Sequence, residues 1–314
     1  MSGTNIARSR SQFSTHQLMH AKIFSALLGL AFSATAFAQV PPAGTFRQEL
    51  LNSFDVSWSY SGEAGLERGG DLGDVSVQNV SASFSRDIKL GDITTLAVGG
   101  AASFNFIDAD PGIPLPDRLG EVTFNAGILH HFSQRWIAAA YARPGWYGDM
   151  ENFDGDAFTV PAIAMISFIQ SPSLIWRVGV SVNPFSDNTV TPVIGVNWKF
   201  AEDWTFNIGF PRFGVTWKAY HALALYGAVS VQGGSYRITE DLGPAPRGGR
   251  LNNTYVDYRE IRVGAGAGYN VTEKIKLTAE AGVMADRRFD FYDRGYKLKG
   301  DPAPYVTVAI ACNF

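Results

Sequence analysis

The chain has 314 residues, with 26 basic and 29 acidic side chains, 33 glycines, one cysteine and 13% aromatics. No basic patch or run stands out, which sets nucleic acid aside as a partner. The single thiol, Cys312, excludes an internal disulfide framework.

At the start, Arg8, Arg10 and Lys22 precede an apolar stretch, Ile23 to Phe32, with no acidic residue before Glu49. Ala36-Phe37-Ala38 then supplies the small-x-small site of a signal peptidase. This is the three-part pattern of a secretory signal peptide, expected over 1–38, and its apolar core is too short to span about 30 Å of hydrocarbon. Met19 offers a second translation start. Three basic and no acidic side chains lie in 1–38, which leaves 23 basic against 29 acidic and a net charge of −6. Residues 39–49 form a short periplasmic segment in this reading, and 50–314 one domain.

Beyond residue 50, segments of alternating character recur between turn residues. Leu174, Trp176, Val178, Val180 and Val182 share one face, opposite Arg177, Gly179, Ser181 and Asn183. Ile275, Leu277, Ala279, Ala281 and Val283 oppose Lys276, Thr278, Glu280, Gly282 and Asp286. A period of two marks a strand with one oily and one wet side. Small residues crowd the wet side, and the lengths match the about 9–11 residues of a tilted membrane strand.

Strands are expected near 50–61, 74–88, 93–107, 120–132, 136–146, 158–170, 174–183, 190–200, 204–210, 212–218, 221–237, 255–271, 275–287 and 301–314. The fold class is therefore all-β: a transmembrane antiparallel up-and-down barrel of about 14 strands. Twelve remain open if 204–226, where His221–Leu225 also suits a helix, does not form two strands. Tight turns such as Ser133–Arg135 and Thr272–Lys274 alternate with long segments such as Gly62–Gly73 and Ile238–Thr254. A barrel with turns at one end and loops at the other produces that alternation. Aromatics bracket the turns, as in an interfacial girdle.

Parity places Asp55, Glu121, Arg143, Arg177, Lys199, Glu260, Arg262, Lys276 and Glu280 on the inner face. Four are acidic and five basic, so strong ion selectivity, which needs a one-sided ring, is not expected. Gly264, Gly266 and Gly268 leave space on that face for a neighbouring ring or a solute. Across this gap Arg262 is expected to lean toward Glu280. Small inner residues favour an open or narrow channel, which the first long loop or Ile238–Thr254 is placed to constrict. Arg287–Tyr292 is expected in an upper aromatic belt.

The histidines His130, His131 and His221 fall at the turn end and accompany no nucleophile motif. There is no H-E-x-x-H, no cysteine pair and no calcium loop. No enzyme activity, metal or cofactor is expected. Loop carboxylates such as Asp149 and Asp156 read as solvated surface charge.

The chain ends on Tyr305 to Phe314, whose odd and even positions again separate into two faces, with Cys312 on the outward apolar one. An outer-membrane barrel closes on such a strand, and Phe314 then serves as an assembly signal. Signal, alternation, the Gly209-Phe210-Pro211 hairpin and Phe314 together resemble uncharacterised bacterial outer-membrane β-barrel proteins grouped under a domain of unknown function. The resemblance covers 50–314 and implies an integral outer-membrane barrel without a known substrate. Expected partners are outer-membrane lipid and lipopolysaccharide, and the barrel-assembly machinery through the last strand. The functional expectation is a passive channel for small polar solutes. The alternative is a closed structural or binding barrel, with an outer-membrane enzyme less favoured.

Overall fold

The computed structural model describes residues 52–314 except 152, 154, 210 and 246–248. The expected signal peptide with Ala36 and Ala38, and the segment 39–49, lie outside the described residues.

Fourteen strands form one closed antiparallel barrel. They are β1 (Asn52–Glu67), β2 (Asp71–Lys89), β3 (Thr94–Ala109) and β4 (Arg118–His131). Next come β5 (Trp136–Ala142, continued as Gly145–Gly148), β6 (Phe158–Thr159 and Ala162–Ser171) and β7 (Leu174–Val182). Then follow β8 (Val190–Trp198), β9 (Trp204–Gly209), β10 (Arg212–Lys218) and β11 (Leu223–Ile238). The last are β12 (Thr254–Asn270), β13 (Ile275–Phe291) and β14 (Tyr296–Gly300, continued as Ala303–Asn313). β1 pairs with β14 from Ser53↔Asn313 to Ser61↔Tyr305, which closes the ring. Residues 204–226 thus hold β9, β10 and the start of β11, with Leu223–Leu225 in strand rather than helix, and the count is fourteen.

Each strand forms because its two faces have different solvents. On β1, Phe54, Val56 and Tyr60 point outward and are exposed, while Asp55, Ser57, Ser59 and Ser61 point inward. The inner hydroxyls pair across strands, Ser53 with Ser85 at 3.0 Å and Ser57 with Ser81 at 2.7 Å. At the turn end, hydroxyls satisfy the amides that a tight turn leaves over. The Ser133 Oγ accepts from the Arg135 and Trp136 amides, and the Thr272 Oγ1 from those of Lys274 and Ile275.

The loop end departs from the expected boundaries. β1 and β2 run nearly to each other, so 62–73 is mostly strand, and β13 continues to Phe291. β7 to β10 are short, at 9, 9, 6 and 7 residues, whereas β11, β12 and β13 have 16, 17 and 17. β11 passes above its short neighbours and reaches β5, pairing Arg237 with Gly148 in parallel. The Asp149 amide donates to the Arg237 carbonyl at 3.1 Å. Gly233 makes this path possible. Its φ is +125°, and a Cβ there would overlap the Tyr258 carbonyl oxygen.

A second irregularity lies in β13. Ile261 faces Asp286 but Arg262 faces Met284, so Ala285 is an extra residue, a β-bulge. A single extra residue exchanges the two faces beyond it. Asp286, expected inside, lies on the other face and meets Arg259 and Arg288. Arg287, Phe289 and Phe291 turn inward, each 0% exposed. The expected upper aromatic belt at 287–292 is therefore corrected: Phe289 and Phe291 are interior.

Candidate functional site: a lumen braced by charge and closed at one end

The interior has three levels. At the loop end, Leu66, Val77, Phe289 and Leu298 from β1, β2, β13 and β14 belong to one buried apolar cluster with Leu119 and Tyr147 from β4 and β5. Leu251 and Leu242, from the 238–254 segment, close over it. Apolar side chains pack to near-crystalline density in such a core, and among the described residues they fill this level of the barrel.

Beneath it sits an ionic layer. Glu260 is fully buried and accepts from Arg262 Nε at 2.8 Å, Arg287 Nε at 2.8 Å and Ser61 Oγ at 2.9 Å. Arg262 also donates to Ser59 and Ser61 at 3.2 and 3.0 Å. Arg287 reaches the Val75 carbonyl at 2.7 Å. The brace thus ties β12 and β13 to β1 and β2. On the facing wall, Arg143 holds Glu121 at 2.8 Å and Asn125 at 3.1 Å. Arg143 sits in the break of β5, where Pro144 interrupts the ladder and the Phe124 amide donates to the Pro144 carbonyl.

The third level is partly exposed polar wall. Glu280 pairs with Arg212 at 2.6 Å and accepts from Tyr305 Oη at 2.7 Å. The expected Arg262–Glu280 pairing is therefore not formed. Gly266 does face Glu280 in register, but the space over Gly264 and Gly266 is filled by the Tyr305 and Tyr226 rings. Arg212 stacks over Tyr226 at 4.8 Å, and its side chain is 42% exposed. Arg177 faces inward on β7, opposite Ser167 and Gly195. Asp55, bonded to Ser53 at 3.1 Å, and Lys276 on β13 lie nearer the turn end. Eight of the nine therefore split into the two braces, the Glu280 cluster and a lower wall, whereas Lys199, expected on the inner face, lies beyond the strand end in an exposed turn.

Outside the lumen, a cleft of about 510 Å³ at the loop end is lined by Phe106, Asp117, Arg118, Asp149, Glu151 and Glu240. Asp149, expected to be solvated, is 2% exposed. Its carboxylate accepts from the Thr239 and Glu240 amides at 2.5 and 2.9 Å. It fastens the end of β11 beside β5. Burial and the carboxylates of Asp117, Glu151 and Asp149 raise the Glu240 carboxyl above its ordinary range.

No curated protein matches the chain. A family model, the domain of unknown function DUF6268, matches residues 57–311. The chain belongs to the DUF6268 family. Among solved structures, this DUF6268 barrel is similar to the COG4313 outer membrane channel from Pseudomonas putida F1. The TM-score is 0.50 and identity 9%, over 88% of this chain and 100% of that one. The Pseudomonas putida toluene transporter TodX aligns at TM-score 0.36 and 8% identity, over 91% and 93%. The translocator domain of the autotransporter NalP from Neisseria meningitidis aligns at 0.35 and 11%, over 95% and 98%. At these identities the likeness concerns fold: the DUF6268 chain has the architecture of an outer-membrane barrel, a fold that channels use.

Interior charges of the DUF6268 barrel outside the nine placed by parity include Asp87 on β2, Arg212 and Arg287. Arg212 was legible, since it alternates with Gly214, Thr216 and Lys218, but the hairpin beside it hid the parity. Arg287 was not legible, because nothing in its vicinity announces the bulge at Ala285.

Proposed function

We propose that this barrel resides in the bacterial outer membrane and is a passive channel for small, mostly uncharged polar solutes. Its turn end faces the periplasm and its loop end the exterior. The observation that carries this reading is the lower lumen: a wide ring of strands lined by serine, threonine, asparagine and glycine. Fourteen strands exceed the eight whose bore side chains fill. Interior charges of both signs, largely paired, support weak ion selectivity. The apolar cluster at the loop end would close this conformation along its axis. Lipid and lipopolysaccharide would surround the belt, and Phe314, whose amide donates to the Asn52 carbonyl at 2.9 Å, would act as the assembly signal.

The test is reversal potential in a planar bilayer across a salt gradient, with the plug loosened by Phe289→Ser and Phe291→Ser. Values near zero are expected. A potential close to the Nernst limit for one ion would contradict weak selectivity. The apolar cluster also favours a second reading, a closed structural or binding barrel, in which the loosened variant stays silent.

A further inference from the structure

The three glycines on the inner face of β12 are each covered by a different side chain. The Tyr305 and Tyr226 rings lie over Gly264 and Gly266, and Lys276 folds over Gly268. A Cβ on Gly268 would come within 2.9 Å of the Lys276 Cε and 3.5 Å of its Nζ. A side chain at 268 would therefore displace the lysine from this path.

A salt bridge would send Lys276 the other way. Asp55 shares its row two strands along, since both residues face Ala311 in register. Lys276 turns instead across β12, and the charged neighbour that acts on it is Arg212, of its own sign. Among the described residues, Lys276 makes no hydrogen bond or ion pair.

Charge on this wall is one-sided. From the row of Arg212 to the turn end, and apart from Arg262 in the brace, β10 to β13 carry Arg212, Lys218 and Lys276 against one carboxylate, Glu280. Lys218 lies in the row of Gly268, on which Lys276 converges. Both Glu280 oxygens are already engaged, Oε2 by Arg212 at 2.6 Å and Oε1 by Tyr305 at 2.7 Å. A guanidinium has five N–H donors, so Arg212, whose side chain is 42% exposed, keeps others for the bore. Like charges that converge on a polar wall repel one another, and an anion that accepts from both relieves the repulsion. Hydroxyls flank the place: Thr216 lies in the row of Tyr226, and Thr278 faces Gly268 in register.

Resting on the channel reading for access from the turn end, we propose that Lys276 and Arg212 form an anion-binding station in the lower lumen, and that its ligand is a small hydroxylated carboxylate. The carboxylate accepts from the Lys276 Nζ and from the Arg212 donors that Glu280 leaves over. Hydroxyls on the ligand meet Thr216 and Thr278. The Glu280 carboxylate beside the station favours one negative charge over two, so a monocarboxylate suits it better than a phosphate dianion. The station does not make the bore anion-selective. Asp55 and Asp87, on β1 and β2, offset its charge over the lumen as a whole. Salt also screens it beyond about 8 Å. It acts on the group that touches it.

The test is the reactivity of Lys276 in reductive methylation, read by mass spectrometry after a short pulse on the folded barrel in maltoside detergent. A bound carboxylate keeps the ammonium protonated and covers it, which slows the reaction. Sodium gluconate is expected to slow methylation of Lys276 several-fold relative to sodium chloride of equal ionic strength. Lys89 and Lys274, at the turn end, are expected to be unaffected. Arg212→Gln, in protein shown to be folded by heat modifiability, is expected to remove most of the protection. Equal rates in gluconate and chloride would overturn the station, and that comparison needs no variant. Equal slowing at Lys274, or protection by neutral glucose that matches gluconate, would also overturn it. Stronger protection by glucose 6-phosphate would overturn the monocarboxylate. Methylation is read without ion flow, so its failure leaves the channel reading standing. Protection in a barrel whose plug-loosened variant stays silent would instead place the station in a closed binding barrel.

Discussion

Glu260 is the residue on which the interior most depends. Two guanidinium groups, Arg262 and Arg287, share its carboxylate with almost no solvent contact, at 2% and 0% exposure. A buried pair adds little over a well-packed apolar substitute, but removing one partner strands the other charge. Glu260→Ala strands two. The expected loss is about 3–5 kcal/mol, read as a lower urea midpoint for the heat-modifiable folded form in detergent or lipid. Glu280→Ala is expected to cost less, since the Arg212 that it leaves behind is 42% exposed in the lumen and can be hydrated. Equal midpoints for wild type and Glu260→Ala would show that the brace contributes nothing to the fold.

At the scale of elements, alternation is legible wherever a strand has one oily and one wet face. β1, β7, β12 and the lower part of β13 appear in the sequence for that reason, and so do the turns with their serine and threonine caps. The loop end was not legible in the same way. There the strands leave the zone where outward residues must be apolar, and both faces become mixed. Glu63 and Glu67 on β1 read as loop although they continue the strand. The bulge at Ala285 has the same character: one extra residue among ordinary strand formers, visible only from the register against β12. Glu260, Arg262 and Glu280 lie buried in the interior, and Arg262 does not reach Glu280 because two tyrosine rings occupy the glycine gap. The closing strand bears on assembly. β14 pairs with β1 over nine register positions, and Phe314 extends that contact by one amide. Deleting Phe314 is expected to reduce the heat-modifiable barrel recovered from outer membranes far more than deleting one residue from 249–253. Comparable losses would contradict an assembly signal.

The whole molecule combines a polar, partly exposed lower lumen with an outer end that is packed shut. Composition and strand number argued for the first of these; for the second the sequence offered only the first long loop or 238–254 as a constriction, and nothing in it announced the packed core at the loop end. The plug exists because β11 runs on past its short neighbours to β5, β13 shifts face at Ala285, and Leu251 joins the same core. Each is a local event whose consequence appears only when the strands are assembled. The central claim is therefore a channel that is closed at one end by displaceable apolar packing. The most direct measurement is single-channel conductance of the refolded chain, residues 39–314, in a planar lipid bilayer. Wild type is compared with the Phe289→Ser, Phe291→Ser variant, after both are shown to be folded by heat modifiability. A nearly silent wild type and discrete, long-lived steps from the variant are the predicted result. A folded variant as silent as wild type would contradict the channel, and large steady steps from wild type would contradict the plug.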